Sequence, residues 1–399
     1  MTKIALISDI HFGEFSRTIE FSVPGQPIKD ENSGGESLKQ CTIELLKKES
    51  VDYLCVAGDL TSKGSPQEFV YCEKLLLEIA DAIGISKERI LLGLGNHDID
   101  WNICKLYSSF TKTTPEFPLD LVRDKYRRIA SQASVVNLEN IPRYQLPGPA
   151  PFSGIFEDDG FIMFVLNTGW YCTDEQAFSH GKLDQTQMDW FEEKAREYKS
   201  SAKWKIVLMH HHPYSYSFHV PCVDISMLEE GSRLIEIAGD NGIDLILHGH
   251  RHHPKVATSQ NASWKKPLTC ICAGSFAVNA SHRSGGEIPN TIHIIELTDE
   301  IGVLNLLNYQ YSQAEGWIPI INNSPITPLD HKMKLGKIFS EEQINEAIQK
   351  LPSNQTLSWE NLDECLKFMT FSSLNGRIDK QFNNTLKRIG SFPAEVVLL

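Results

Sequence analysis

Ile243-Asp244-Leu245-Ile246-Leu247-His248-Gly249-His250-Arg251-His252 passes from a run apolar enough for a buried strand into a histidine-rich tip. In α/β sheets, chemistry gathers at the carboxyl ends of strands. His250 and His252 are two apart, a spacing that puts both side chains on one side of an extended segment. Two imidazoles so placed serve one metal ion or two neighbouring ones. An isolated H-x-H is more often a polar loop that happens to carry histidines. The way the other apolar runs end therefore decides the reading.

Four more runs end in the same manner. Residues 3–8 lead into Asp9-Ile10-His11, and 51–57 into Gly58-Asp59. Residues 89–94 lead into Gly95-Asn96-His97-Asp98, and 205–209 into His210-His211-His212. Packed side by side in a sheet, these strands would gather Asp9, His11, Asp59, Asn96, His210, His250 and His252 at one edge. One such terminus is weak evidence. Five, all ending in hard or borderline ligands, point to a metal site. Of the three consecutive histidines, His210 is the first past its strand. His211 points the other way and reads as a core histidine or a support for a ligand.

The ordered set D-x-H, G-D, G-N-H-D, H and G-H-x-H resembles the calcineurin-like metallophosphoesterases over roughly residues 1–310. His180-Gly181-Lys182-Leu183 with Gln187-Met188-Asp189-Trp190-Phe191 is similar to a segment common in that family. The resemblance implies an α/β fold, a four-layer α/β/β/α sandwich, here with a small helical C-terminal extension. It implies a dinuclear centre in which Asp9, His11 and His252 hold one ion, Asn96, His210 and His250 hold the other, and Asp59 bridges. A hydroxide between the ions would then attack phosphorus in line. His97 would protonate the leaving oxygen or stabilise charge on the phosphoryl group. Asp98 would orient His97 or hold the turn. Carboxylate, amide and imidazole donors suit Mn, Fe or Zn better than Ca, with Mn the expected ion. One departure stands out. Relatives often carry Asp where this chain has Ser62, and in some that acid steadies the G-N-H histidine.

Composition narrows the class. The chain has 399 residues, enough for one large or two ordinary domains. Hydrophobic residues at 41% and charged residues at 22% are ordinary for a globular protein. A net charge of −13 argues against broad binding to nucleic acid or anionic membrane. A local basic groove stays open, and two bound cations would reverse the sign at the site. The nine cysteines are scattered, odd in number and without a C-x-x-C pair, so reduced thiols in a cytoplasmic protein are expected. Cys270-x-Cys272 sits in an apolar run, as buried thiols would. No leader-like start and no long apolar stretch is visible, which predicts a soluble protein without a membrane span.

Between the motifs, helices are expected over 37–48, 66–82, 184–198 and 228–239, and a hairpin over 153–156 and 161–167. Residues 12–37 form either a wall of the pocket or a loose insertion. Lys63 meets a phosphate oxygen or is a solvated turn lysine. Residues 99–151 are irregular, with a helix over 120–131, and leave the site directly after His97 as a cap would. Trp101, Tyr107, Phe110, Arg143 and Tyr144 there either meet a flat group or pack the insertion. His219 touches substrate or lies on the surface. Runs 255–259, 267–273, 290–297 and 303–311 read as an antiparallel second sheet. Residues 281–287, with His282 and Arg283, form a flexible tip of no assigned purpose. A shift in composition at 322–330 divides a catalytic domain, 1–322, from an extension, 323–399. The extension should hold one helix opened by the Ser340 capping box and another over 358–371. It packs on the core, pairs with another subunit or holds a protein partner.

The function expected is metal-dependent hydrolysis of a small phosphodiester such as a cyclic nucleotide. A phosphomonoesterase and a nuclease remain open, the nuclease needing Lys and Arg around the pocket. A reading of another class is a metal-bearing regulatory or binding module that works through its tail. The complete ligand set argues against it.

Overall fold

The computed structural model describes residues 1–28, 37–99, 146–150, 152–169, 180–215, 226–282, 288–320, 329–351 and 362–369. The helix expected over 120–131, the five ring- and cation-bearing residues of the insertion, and His219 lie outside them. No described helix is long and apolar enough to cross a membrane.

Two seven-stranded sheets carry the fold. The first runs Gly316–Pro319 (β13), Leu304–Ser312 (β12), Thr291–Leu297 (β11), Thr2–Ile7 (β1), Tyr53–Ala57 (β2) and Ile90–Gly93 (β3), with Lys332–Leu335 (β14) also paired to β12. The second runs Leu146–Pro147 (β4), Gly154–Glu157 (β5), Phe161–Val165 (β6), Trp204–Leu208 (β7), Leu245–His248 (β8), Leu268–Cys272 (β10) and Lys255–Ser259 (β9). Strands β1, β2 and β3 are mutually parallel, and so are β6, β7, β8 and β10.

The apolar runs are continuous because both faces of each central strand are covered. In β1, Ile4 and Leu6 join the core between the sheets, while Ala5 and Ile7 join the outer one. Ile206 and Leu208 of β7 likewise face inward and Val207 outward. Helices Leu38–Glu49 (α1) and Pro66–Ile83 (α2) cover the first sheet. Gln185–Glu197 (α3) and Gly231–Asp240 (α4) cover the second. The result is the α/β/β/α sandwich.

Three expectations change. The five ligand-bearing strands do not lie in one sheet: β1, β2 and β3 are in the first, β7 and β8 in the second. The four later strands do not build a sheet of their own. Strands β9 and β10 extend the second sheet, and β11 and β12 extend the first. Local pattern cannot tell which sheet a strand joins: β2, β3, β7, β8 and β10 are buried on both faces, and the alternation of β12 marks a buried face without saying whose it is. Past residue 330 the chain first adds β14 to the first sheet, and only then forms Glu341–Gln349 (α5), opened by its capping box. The last described helix, Glu364–Lys367 (α6), is capped by Asp363, which accepts from Cys365 N at 3.1 Å; the rest of the span expected over 358–371 lies largely outside the described residues.

Candidate metal centre

The loops that leave β1, β2, β3, β7 and β8 meet where the carboxyl ends of the two sheets come together. They are stitched across: Asp9 N donates to Gly58 O at 3.0 Å, His11 N to Asp59 O at 3.0 Å, and Gly249 N to His210 O at 3.0 Å. Asp9, His11, Asp59, His250 and His252 all have φ between 47° and 74°. That left-handed conformation costs a non-glycine residue roughly 1–2 kcal/mol. Non-glycine strain of this kind collects where a site over-determines the backbone. It also corrects the extended reading of His250 and His252, since neither belongs to a strand.

Two clusters result. Ligand atoms of Asp9, His11, Asp59 and His252 lie within 4.8 Å of one another, and so do those of Asp59, His210 and His250. Asp59 Oδ2 is common ground, 3.5 Å from His11 Nε2 and 3.1 Å from His210 Nε2. Its Oδ1 accepts the main-chain N–H of His97 at 2.8 Å. His250 and His252 therefore serve different clusters. Asn96 is buried at the start of the short 3-10 turn Asn96–Asp98, next to His97.

The donor set fits divalent cations. His210 Nδ1 donates to Ala57 O at 2.7 Å and His252 Nδ1 to His282 O at 3.1 Å, because a carbonyl can only accept. Both Nε2 lone pairs then face the centre. His252 Nε2 is 3.1 Å from Asp9 Oδ1 and 3.2 Å from His11 Nε2. Such acceptor pairs need a proton or a cation between them. Among the described residues, Asp9 Oδ1 and His210 Nε2 are buried without a hydrogen-bond partner. These carbonyls fix ring tautomers as supports of metal-ligating histidines commonly do.

Charge in the cluster is arranged accordingly. Burial raises the Asp59 carboxyl, but His210 and His97 outweigh it and hold it below its ordinary range. Burial raises Asp9 as well, and His252 and His11 outweigh it and hold it well below its ordinary range. Burial depresses His210, yet Asp59 lifts it to about 9. His252 is lifted in the same way by Asp9 against its burial. Burial, reinforced by His211, drives His250 well down. A proton that these carboxylates attract is a place a cation can take.

His97 stands beside the clusters, its ring 4.4 Å from that of His11. Burial pushes it down to about 4. Its Nδ1 donates to the main-chain carbonyl of Ser62 at 2.9 Å. The carbonyl thus occupies the place expected for a carboxylate at position 62, while Ser62 Oγ donates to His11 O at 2.7 Å. Asp98 is tied to the turn and to the neighbouring loop. Its Oδ2 accepts from Gly95 N at 2.9 Å, and Oδ1 from Thr61 N at 3.0 Å and Thr61 Oγ1 at 3.2 Å. It braces the Asp59 and Asn96 loops against each other, and burial beside Asp59 pushes it up to about 7.

The glycines of the motifs are explained by space. A Cβ at residue 249 would run into Ser8 Oγ and Asp9 Oδ2, and one at residue 95 into Asp59 Oδ1. Lys63 is paired with Glu14 at 2.8 Å, and Arg251 donates to Ser226 Oγ at 2.7 Å. His211 is buried and lies 2.8 Å from Thr168 Oγ1, a supporting position. The described part of the 12–37 loop is a wall: Phe12 bridges to Thr61 and Ser16 to Val278, and Phe15 is buried. The carbonyls of Ala57, Ser62 and His282 were invisible in the sequence, since any residue type supplies one.

The family model described as calcineurin-like phosphoesterase matches residues 2–254. Among solved structures, the fold is similar to a dimetal phosphatase from Danio rerio at 10% identity and a TM-score of 0.46, covering 84% of this chain and 98% of that one. It is also similar to the purple acid phosphatase PPD1 from yellow lupin (Lupinus luteus) seeds at 12% identity and a TM-score of 0.47, covering 79% of this chain and 52% of that one. Comparison with curated protein sequences gives no match.

Proposed function

The chain belongs to the calcineurin-like phosphoesterase family, and from that premise we propose that it is a phosphodiesterase acting on a small phosphodiester such as a cyclic nucleotide. The observation that carries the reading is Asp59 Oδ2, shared by two imidazole–carboxylate clusters, with His97 alongside. In this assignment Asp9, His11 and His252 would hold one ion, Asn96, His210 and His250 the second, and Asp59 would serve both. Mn is our choice, with Fe or Zn compatible with the same donors. When bound, such a pair acidifies water and neutralises phosphoryl oxygens.

The chain's own groups do the rest. Ala57 O and His282 O keep the His210 and His252 rings turned inward. Ser62 O holds the His97 proton on Nδ1, so the ring's lone pair is on Nε2. A phosphoryl anion beside that ring would draw a second proton onto Nε2, and His97 would pass it to the leaving oxygen. Lys63, the cation on the loop after β2, is already ion-paired with Glu14. That supports a singly charged diester over a doubly charged monoester. The described cysteines are all free and buried, in keeping with a reducing, cytoplasmic setting. We keep 1–322 as the catalytic domain, with β14 as the arm by which the extension attaches to it, and we assign a protein partner or second subunit to the extension's helices.

The test is a substrate panel with Mn-loaded protein: bis(p-nitrophenyl) phosphate, p-nitrophenyl phosphate, cyclic nucleotides, nucleoside monophosphates and single-stranded oligonucleotides. Faster turnover of the diesters, with a cyclic nucleotide among the substrates, is expected. A monoester preference would replace the diester assignment.

A further inference from the structure

A polar chain crosses the apolar layer between the two sheets. His293 of β11 and Asn308 of β12 are register partners, both fully buried, on the strand faces that send Ile295 and Leu306 into that layer. His293 Nε2 lies 2.6 Å from Ala273 O, just past β10 of the second sheet, and Nδ1 lies 2.6 Å from Asn308 Oδ1. Asn308 Nδ2 donates to Asp330 O at 2.7 Å, two residues before β14. The chain therefore runs from one main-chain carbonyl to another, and a carbonyl can only accept. Asp330 O needs the NH2 end of Asn308, which turns the amide oxygen towards His293. That oxygen needs an N–H at Nδ1, and Ala273 O needs one at Nε2. Only an imidazolium completes all three links. A neutral ring completes at most two, whichever tautomer or amide orientation is taken.

We propose that this chain is a proton-operated latch between the second sheet and the arm that carries the extension: with both ring protons His293 joins Ala273 to Asp330, and loss of one opens a link. The inner end lies behind the metal loops, since Ala273 N donates to His248 O at 2.9 Å, one residue before Gly249. Ala273 O also accepts from Thr291 Oγ1, so it keeps a partner if the ring lets go. Burial pulls His293 below its ordinary value, against the hydrogen bonds to Asn308 and Ala273, which raise it. The adjoining segments carry Cys272, His248, Asp330 and His331, and β1 sets Leu6 beside the ring; none of these is a cause of that shift. The change therefore falls on the acid side of an ordinary histidine, about 6.5. The latch closes as pH falls and is open in neutral solution. Charging the buried ring costs the fold as a whole, because a folded value below the unfolded one removes stability as pH falls. The gain is local to the two ends.

The experiment is hydrogen exchange read by mass spectrometry, on full-length, Mn-loaded protein and its His293→Gln variant, from about pH 5 to about pH 8. Chelated samples run in parallel separate out loss of metal, which also follows pH. After correction for intrinsic rates, wild-type protection should fall about tenfold as pH rises through the latch, the size of one charge-assisted hydrogen bond. The fall should appear in peptides over 329–335 if the Asp330 link opens, and over 268–275 if the Ala273 link opens. His293→Gln, which does not titrate, should show the neutral-pH protection throughout. Nitrogen NMR of histidine-labelled, Zn-loaded wild type needs no variant: His293 should take up its second proton within the same range. Wild-type protection independent of pH at both ends, the same pH dependence in the variant, or a His293 of fixed protonation would overturn the latch.

Discussion

Asp59 does two jobs through two oxygens. Oδ2 lies between the clusters and Oδ1 holds the turn that carries His97. Asp59→Asn keeps the shape but removes the negative charge that two cations would share. Activity should fall by several orders of magnitude, and elemental analysis should find both metals depleted. His97→Ala is expected to behave differently. It should retain metal and lose about 10²–10⁴-fold in kcat, the usual contribution of a positioned acid–base group, with a smaller change in KM. A variant that lost metal as well would show His97 to be part of the coordination framework. Gly249→Ala should not accumulate as a metal-loaded protein, because its new methyl group would meet Ser8 and Asp9.

The loops are held by the elements they join. The turn after β2 ends in the capping box of α2: Ser65 Oγ accepts from Glu68 N at 3.3 Å, and Glu68 Oε2 accepts from Ser65 N at 3.1 Å and Lys63 N at 3.0 Å. That turn includes Ser62, whose carbonyl holds His97. Helix start and the His97 ring are thus mechanically linked. Ser65→Ala should cost about 1 kcal/mol of stability, as N-cap losses do, read from urea unfolding. It should also lower kcat more than KM, because the shift reaches His97 through the Ser62 carbonyl. A stability loss with kinetics unchanged would show the cap and the ring to be independent.

For the molecule as a whole, metal and protons compete for one set of atoms. His210, lifted to about 9 in the metal-free protein, and His252, also lifted, must each give up a proton before an ion binds. Affinity for Mn should therefore rise with pH up to about 9. Uptake should release protons, seen by calorimetry in buffers of different ionisation enthalpy. Stability without metal follows the opposite sign. A histidine whose folded pKa is raised contributes stability that is present below its ordinary value and lost as pH rises through the raised one. Chelated protein should thus lose Tm between pH 6.5 and about 9. The Mn-loaded protein should gain over the same range, since ligand linkage grows with affinity.

Much of this was legible in the residues. Residues 4–7 and 245–247 are apolar throughout because both faces of their strands are buried, a mark of central strands in an α/β fold. The chemistry at their ends named the side chains that the structure brings together. Hidden from the sequence was the division of five strands between two sheets, since burial on both faces erases the period that would mark a side. Hidden too was the left-handed backbone that sends His250 and His252 to different clusters. The carbonyls of Ala57, Ser62 and His282, which aim three imidazoles, carry no residue signature at all. Side-chain chemistry is written in the order of the residues, whereas direction and distance arise only when remote backbone segments are packed against one another.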